Sequence, residues 1–133
     1  MAASQETVYK IDIEDKPGAL HEVLSSAAGA GANINFLAAF SAGGGKGAAF
    51  MIADKPEALK ELAQAQGLAL EKYTGFLLRG ADQVGVGADL TKPLANEGIN
   101  ILLSVATIAG GEYQLMILVD PADADVASKA LGA

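Results

Sequence analysis

The sequence predicts an α+β protein made of two copies of one βαββαβ unit, residues 1–73 and 74–133. Three observations predict this architecture. A shift of 67 residues aligns Thr7–Gly44 with Thr74–Gly111 without a gap. The identical positions are rich in Gly, Asp and Asn, the residues that fix turns. In the first copy, an alternating segment is followed by a segment with helical periodicity. We therefore expect antiparallel sheets with helices packed on one face.

The first copy reads β-α-β-β-α-β, the order of the ferredoxin-like split unit. Its first strand, Thr7–Glu14, alternates apolar and polar residues. A helix follows, which Pro17 can start and Asp15 can cap, and which ends near Gly29. The other predicted elements are a strand Asn33–Ala42, a turn Gly43–Gly47, a strand Ala48–Asp54, a helix Lys55–Gly67 and a strand Leu68–Tyr73.

The second copy is predicted to lack its last strand, since the sequence reaches Ala133 where that strand would begin. Either this copy manages with three strands, or a partner chain or another element covers the open edge, because bare sheet edges invite pairing. Pro93 predicts a first helix that is kinked or starts late. The predicted elements are a strand Gly75–Gly80, a helix Val84–Glu97, strands Ile99–Ile108 and Glu112–Asp120, and a helix Pro121–Leu131.

Composition disfavours several classes of function. The net charge is −7 and the nine basic residues are scattered, which argues against a nucleic-acid partner. The absence of cysteine excludes disulfides and thiolate metal sites, and a single histidine, His21, cannot by itself build a metal site or a catalytic triad. We expect no enzyme activity, no metal and no cofactor. No signal peptide or membrane span is evident, so we expect a cytoplasmic protein that does not contact membranes.

Two similar joints, Asp15–Leu20 and Asp54–Leu59, each carry Asp-Lys-Pro before a helix. They differ at one position, where the first joint has Gly18 and the second has Glu57. Glycine lets the backbone approach a ligand, and the helix N-terminus behind it offers N–H groups to an anion such as a carboxylate, although a plain helix start is the alternative. Glu57 places negative charge where that anion would sit and suits the helix dipole, so the second joint is predicted to be only a cap. Asp120 repeats this capping chemistry.

Asn33, in "GANIN", opens the second strand, and Asn100 is its counterpart in the second copy. An asparagine at such a joint satisfies turn amides or binds the carboxylate or ammonium group of a ligand, and both readings stay open. In the expected fold, Asn33 lies beside Gly18. Of the two Asp-Lys-Pro joints, only the first is predicted to be a ligand loop.

Together, "DKPGAL" after a first strand, "GANIN" at the second strand, the βαββαβ order and "NEGINI" in the second copy resemble tandem ACT-domain proteins. The resemblance implies non-catalytic regulatory modules that bind small molecules, most often amino acids, at interfaces between paired units, and that signal to an enzyme or transporter. In the second copy, Val84 and Gly87 stand where the family has Pro and Leu. The ligand-contacting positions implied by the resemblance are Asp15, Pro17, Gly18, Ala19, Leu20, Asn33, Ile34 and Asn35, and in the second copy Asp82, Val84, Gly85, Val86, Asn100 and Ile101.

The main hypothesis is therefore an amino-acid-binding regulatory protein that forms a homodimer covering the edge left by the missing strand. A first alternative is a protein-interaction or structural module that kept this fold without ligand binding, as the divergent second loop suggests. A second alternative is a small ferredoxin-like enzyme, which needs a concave site with converging titratable groups.

Overall fold

The computed structural model describes residues 2–133, which form an α+β chain whose sheets are mostly antiparallel. Two compact units are present: the first unit is Val8–Lys72, and the second unit combines residues 2–7 with Tyr73–Ala133. None of the helices formed by residues 2–133 has the length and apolar character needed to cross a bilayer. The elements are β1 (Ala2–Glu14), α1 (Ala19–Gly29), β2 (Ile34–Gly43), β3 (Lys46–Ala53), α2 (Pro56–Gln66), β4 (Leu70–Ala81), α3 (Val86–Asn96), β5 (Leu103–Ala109), β6 (Glu112–Val119), a 3₁₀ turn (Pro121–Asp123) and α4 (Ala124–Leu131).

In the first unit, the strands lie in the order β2-β3-β1-β4, and β3 is antiparallel to both of its neighbours. Alternate residues of β1 and β3 face the core that the helices cover, because side chains of a β-strand point to opposite faces in turn. Gln66 at the end of α2 donates a 2.9 Å hydrogen bond to Ser26 of α1, which joins the two helices. The core of this unit includes Tyr9, Ile11, Ala49 and Met51 from the strands and Val23, Ala27, Leu59 and Leu62 from the helices.

In the second unit, the strands lie in the order β1-β4-β6-β5. Residues 2–7 of β1 take the place of the fourth strand that the second copy lacks, and Ala3 packs against the core there. Of the alternatives that the sequence left open, another element of the same chain therefore covers the edge, and β4 needs no partner chain to satisfy its backbone groups. The domain boundaries 1–73 and 74–133 stay a prediction; by contacts, residues 2–7 group with Tyr73–Ala133. The core includes Phe76, Leu78, Leu115, Ile117 and Val119 with Leu90, Leu94, Ala127 and Leu131.

β4 is one continuous strand of 12 residues, although the sequence predicted two strands joined at Tyr73–Gly75. Thr74 and Gly75 pair with Val119 and Leu118 of β6 in an unbroken register. The segment contains no Pro, Asn or Asp to break the ladder, and a glycine inside a strand does not by itself make a turn.

α3 starts at Val86, two residues later than predicted, and contains Pro93. Gly85 has φ 85°, a left-handed conformation that a right-handed helix cannot include, so the helix begins after it. β5 likewise begins at Leu103 rather than Ile99. The predicted cap at Asp120 is confirmed, since its carboxylate accepts a 2.9 Å hydrogen bond from the backbone N–H of Ala122.

Candidate functional site

The candidate site is the loop between β1 and α1, which the sequence singled out at Gly18. Gly18 precedes the first residue of α1 with φ 85° and ψ −13°. A left-handed conformation costs other residues about 1–2 kcal/mol, which explains why glycine stands here. Gly85 has the same φ of 85° in the matching loop of the second unit. The two loops therefore share one backbone shape, and the glycine alone does not distinguish a ligand loop from a plain joint.

The start of α1 carries no side-chain cap. The expectation that Asp15 caps it is wrong: the Asp15 carboxylate accepts a 2.6 Å hydrogen bond from the Ser41 hydroxyl of β2, and its backbone N–H donates to Gly45. The loop is thus tied to the β2–β3 hairpin instead of to the helix. By helical geometry, the N–H groups of Leu20 and His21 have no acceptor within α1, and the helix dipole adds positive potential there. This arrangement suits an anionic group such as a carboxylate.

An ion pair borders the loop. Lys16 Nζ lies 2.9 Å from Glu14 Oε2, and both side chains are largely exposed. The hydrogen bond and charge of Lys16 lower the pKa of Glu14, and Glu14 in turn raises the pKa of Lys16. The pair keeps one positive and one negative group at the mouth of the loop at neutral pH, a combination that can receive a zwitterion.

A cavity of about 180 Å³ opens beside this loop, between the start of α1 and β2. It is smaller than the roughly 300–1,000 Å³ of pockets that hold drug-sized ligands, so its volume suits a small metabolite. Its lining joins the charged loop to apolar surface from the helix and the strands. The lining residues are Ile13, Glu14, Asp15, Lys16, Leu20, Ala39, Phe40 and Gly47.

The matching loop of the second unit has the same shape but different chemistry. Gly87 stands where the first unit has Leu20, and a Cβ built on Gly87 would lie 2.9 Å from the hydroxyl of Tyr113. The Tyr113 ring thus occupies space beside this loop. Ile108, which is 56% exposed, takes the place of Ser41, so the position that hydrogen-bonds the carboxylate in the first unit carries no hydroxyl in the second.

Asn33, the other predicted ligand residue, closes a turn at the start of β2. Its backbone N–H donates to the Asp54 carboxylate at 2.7 Å, and the backbone N–H of Asp54 returns a bond to the Asn33 carbonyl at 3.1 Å. Its side-chain amide donates to Asn35 at 2.7 Å. Asp54 therefore ties β2 to the end of β3 and does not cap α2, which has no side-chain cap.

The structure does not bring the Gly18 loop and Asn33 together. Gly43, at the end of β2, pairs with Lys46 of β3. Lys46 in turn pairs with Glu14 of β1, just before the loop. Asn33 precedes the opposite end of β2. Ten extended residues span about 30 Å, so the expectation that Asn33 lies beside Gly18 is wrong within one unit. Antiparallel strand registers, which the sequence did not show, decide this separation.

The remaining predicted positions divide in the same way. Pro17 and Ala19 lie in the first loop and the first turn of α1, whereas Ile34 begins β2 and packs against the core. In the second unit, Asp82, Val84 and Gly85 form the loop before α3, whereas Asn100 and Ile101 precede β5 at the other end of that strand. Val86 is a core residue, 8% exposed.

Three contributors escaped the sequence reasoning: Ser41, Phe40 and Tyr113. A comparison of the two copies could have found two of them, because a shift of 67 residues aligns Ser41 with Ile108 and Lys46 with Tyr113, which differ in chemistry. His21 is exposed, and among residues 2–133 no group of three or more His, Cys, Asp or Glu is placed to hold a metal ion.

No protein-family model and no curated protein sequence matches the chain. Solved structures do. Protein BT0572 from Bacteroides thetaiotaomicron has a TM-score of 0.79 at 18% identity, covering 96% of this chain and 88% of that one. The regulatory subunit of aspartate kinase from Thermus thermophilus has a TM-score of 0.67 at 18% identity, covering 98% and 93%. The same subunit from Thermus flavus has a TM-score of 0.65 at 16% identity, covering 99% and 95%. These likenesses show a shared fold, and two of the three are regulatory subunits by name.

Proposed function

We propose that the chain is a non-catalytic regulatory protein of the tandem ACT type that binds an amino acid at the loop before α1. The observation that carries the proposal is the cavity of about 180 Å³ at this loop, set against the Tyr113 ring that stands beside the equivalent loop. Two loops of one backbone shape have diverged: the first opens onto this cavity, whereas in the second the Tyr113 hydroxyl lies against the start of α3. A shared fold with regulatory subunits of aspartate kinase supports a regulatory role.

The chemistry of the cavity fits an amino acid. A ligand carboxylate is held by the first N–H groups of α1, where the helix dipole favours negative charge. The ammonium group meets the carboxylate of Asp15 or Glu14, and the ligand side chain packs on Leu20 and Phe40. Each contact uses a group that the cavity presents, and none requires a titratable pair for chemistry.

A second copy of the chain completes the site in this proposal. β2 is the edge strand of the first unit's sheet, and its ten residues include no charge and no proline, which are the usual protection against edge pairing. Antiparallel pairing of β2 with the β2 of another copy would set Asn33 of one chain against the Ser41 end of the other. Two composite sites per homodimer would result. The ligand then favours the paired arrangement by its differential affinity, and a regulated enzyme or transporter reads that arrangement.

Thermal denaturation against a panel of the twenty amino acids tests the binding step. A ligand present at 100 times its Kd adds about 2.7 kcal/mol to the free energy of unfolding. For a chain of 133 residues this raises Tm by roughly 10 °C. A panel in which every amino acid, including the branched-chain and aromatic ones, leaves Tm unchanged would refute the proposal.

Two matched variants locate the site. Ala39 lines the cavity, and Ala106 is its counterpart in the second unit; both are exposed. Ala39→Leu fills the cavity and should abolish the ligand-induced rise in Tm. Ala106→Leu should leave that rise unchanged. The opposite pattern would place binding in the second unit.

Mixing two defective variants tests whether the site spans two copies. Ala39→Leu spoils the loop half of each composite site, and Asn33→Ala spoils the other half. In a mixed dimer one of the two sites is intact. When the two variants are refolded together, half of the dimers are mixed. The mixture should therefore recover up to about a quarter of the binding capacity of the unmodified protein. Equilibrium dialysis measures this capacity. A mixture that binds no better than either variant alone would show that one copy holds the whole site.

A further inference from the structure

β5 is the free edge of the second unit's sheet and lacks the usual protection of an edge strand. Its seven residues, Leu103–Ala109, include no charge and no proline. Ile108 on this strand is 56% exposed, and Leu102, the residue just before the strand begins, is 48% exposed. Natural edge strands normally carry charges, prolines or bulges, so a bare apolar edge marks a surface that pairs with another strand.

The backbone of β5 is set up to receive that strand. The N–H of Leu102 donates to the Leu118 carbonyl of β6 at 2.9 Å. Leu118, whose carbonyl faces β5, is paired with Leu103, so the N–H groups of residues 103, 105 and 107 point at β6. Because hydrogen-bonding direction alternates along an antiparallel strand, the N–H groups of Ser104 and Ala106 point away from β6. They offer donors to an added strand, while Ile108 offers an apolar contact beside them.

A second apolar side chain stands at one end of the edge. Val84 is fully exposed in the loop before α3. This loop lies at the β5–β6 turn, because the N–H of Asp82 donates to the Gly111 carbonyl at 2.9 Å. Val84 and Ile108 thus flank the turn end of β5, and Leu102 marks the other end, about 20 Å away for seven extended residues.

Charge identifies the kind of strand that fits. The second unit carries eight acidic and three basic residues, a net charge of −5, against −2 for the first unit with eight acidic and six basic. Exposed acids lie at both ends of the uncharged strand: Asp82 and Glu112 at the turn, and Glu97 before the segment that leads into β5. A second copy pairing antiparallel through β5 would set acids against acids at both ends, which disfavours self-association.

We propose that β5 binds an extended segment of a partner protein, one that alternates apolar residues and carries Lys or Arg at its ends, by adding it as a strand to the sheet. Backbone hydrogen bonds to Ser104 and Ala106 supply affinity, and contacts with Ile108, Val84 and the flanking acids select the sequence. This surface belongs to the second unit and is separate from the proposed ligand loop. It is the surface through which a regulated partner would hold the chain.

A displayed library of random 12-residue peptides, screened against the whole chain without added amino acids, tests the proposal. We expect enriched peptides to alternate apolar residues and to be rich in Lys or Arg. Binding of a synthetic enriched peptide should weaken at least tenfold in Ile108→Lys and should fall as salt rises. Val126→Lys, the same change on an apolar residue of α4 that is 46% exposed, should leave binding within twofold.

Three outcomes would overturn the proposal: no enrichment, enriched peptides without basic residues, or binding that survives Ile108→Lys. Sedimentation of the unliganded chain covers the remaining alternative, since an assembly lost in Ile108→Lys but kept in Val126→Lys would assign β5 to a second copy. Ile108→Lys should keep the amino-acid-induced rise in Tm. The failure of this proposal and the failure of the proposed function are therefore distinguishable.

Discussion

The claim that Tyr113 occupies the space beside the second loop can be tested with a double-mutant cycle at Gly87. A Cβ added there meets the Tyr113 hydroxyl at 2.9 Å, whereas the ring carbon that bears the hydroxyl is 3.6 Å away, an ordinary contact distance. Alanine in place of glycine gains up to about 1 kcal/mol in a helix interior and less in the first turn of α3. Displacing the tyrosine off its rotamer costs about 0.5–1.5 kcal/mol. Gly87→Ala alone should therefore change the free energy of unfolding little or lower it.

In a Tyr113→Phe background the obstructing hydroxyl is gone, and Gly87→Ala should stabilise the chain by roughly 0.5 kcal/mol or more. The expected coupling between the two changes is about 0.5–1.5 kcal/mol, measured by urea titration followed by circular dichroism. Gly29→Ala, at the end of α1, is the control, because nothing lies within 4 Å of a Cβ built there. It should be additive with Tyr113→Phe. Additivity within about 0.3 kcal/mol for Gly87 as well would refute the claim that Tyr113 occupies this space.

Two further predictions concern β1 and the loop. Deleting residues 2–7 exposes the edge of β4. Amide hydrogen exchange should therefore become much faster in the part of β4 after Tyr73 than in β3. Equal effects on both strands would contradict the assignment of residues 2–7 to the second unit. Lys16→Ala should raise the Glu14 pKa toward its ordinary value, and NMR titration of the Glu14 carboxyl group measures this pKa. Because the folded pKa of Glu14 is lowered, its small stabilisation is present above the ordinary pKa and fades as pH falls through the lowered one; an unmoved pKa in the variant would refute the pairing.

Most elements of the fold could be predicted from the sequence because their causes are local. Alternation of apolar and polar residues identified β1, and helical periodicity identified α1 and α2 to within a few residues. The glycines at 18 and 85 mark left-handed turns in both copies, as a shared backbone requirement. The cap at Asp120 was predictable because an aspartate two residues before a free N–H needs no distant partner.

The candidate site was only half predictable. The sequence located the loop at Asp15–Leu20, but the Asp15 carboxylate bonds Ser41, 26 residues away, instead of the adjacent helix. Likewise Asn33 bonds Asp54 and lies at the opposite end of β2 from Gly18. Both outcomes depend on which strands pair and in which register, and a pairing between distant segments leaves no periodic trace in either one.

The sequence by itself determined that this chain repeats one βαββαβ pattern, where its turns fall, and that one loop differs from its copy at a few positions. Only the tertiary structure decided that residues 2–7 complete the second unit and that β4 runs unbroken past Tyr73. It also decided that the Tyr113 side chain stands against Gly87. The physical reason is the same in each case: open strand edges and unfilled space are satisfied by whichever distant segment reaches them, and local propensity does not encode that choice.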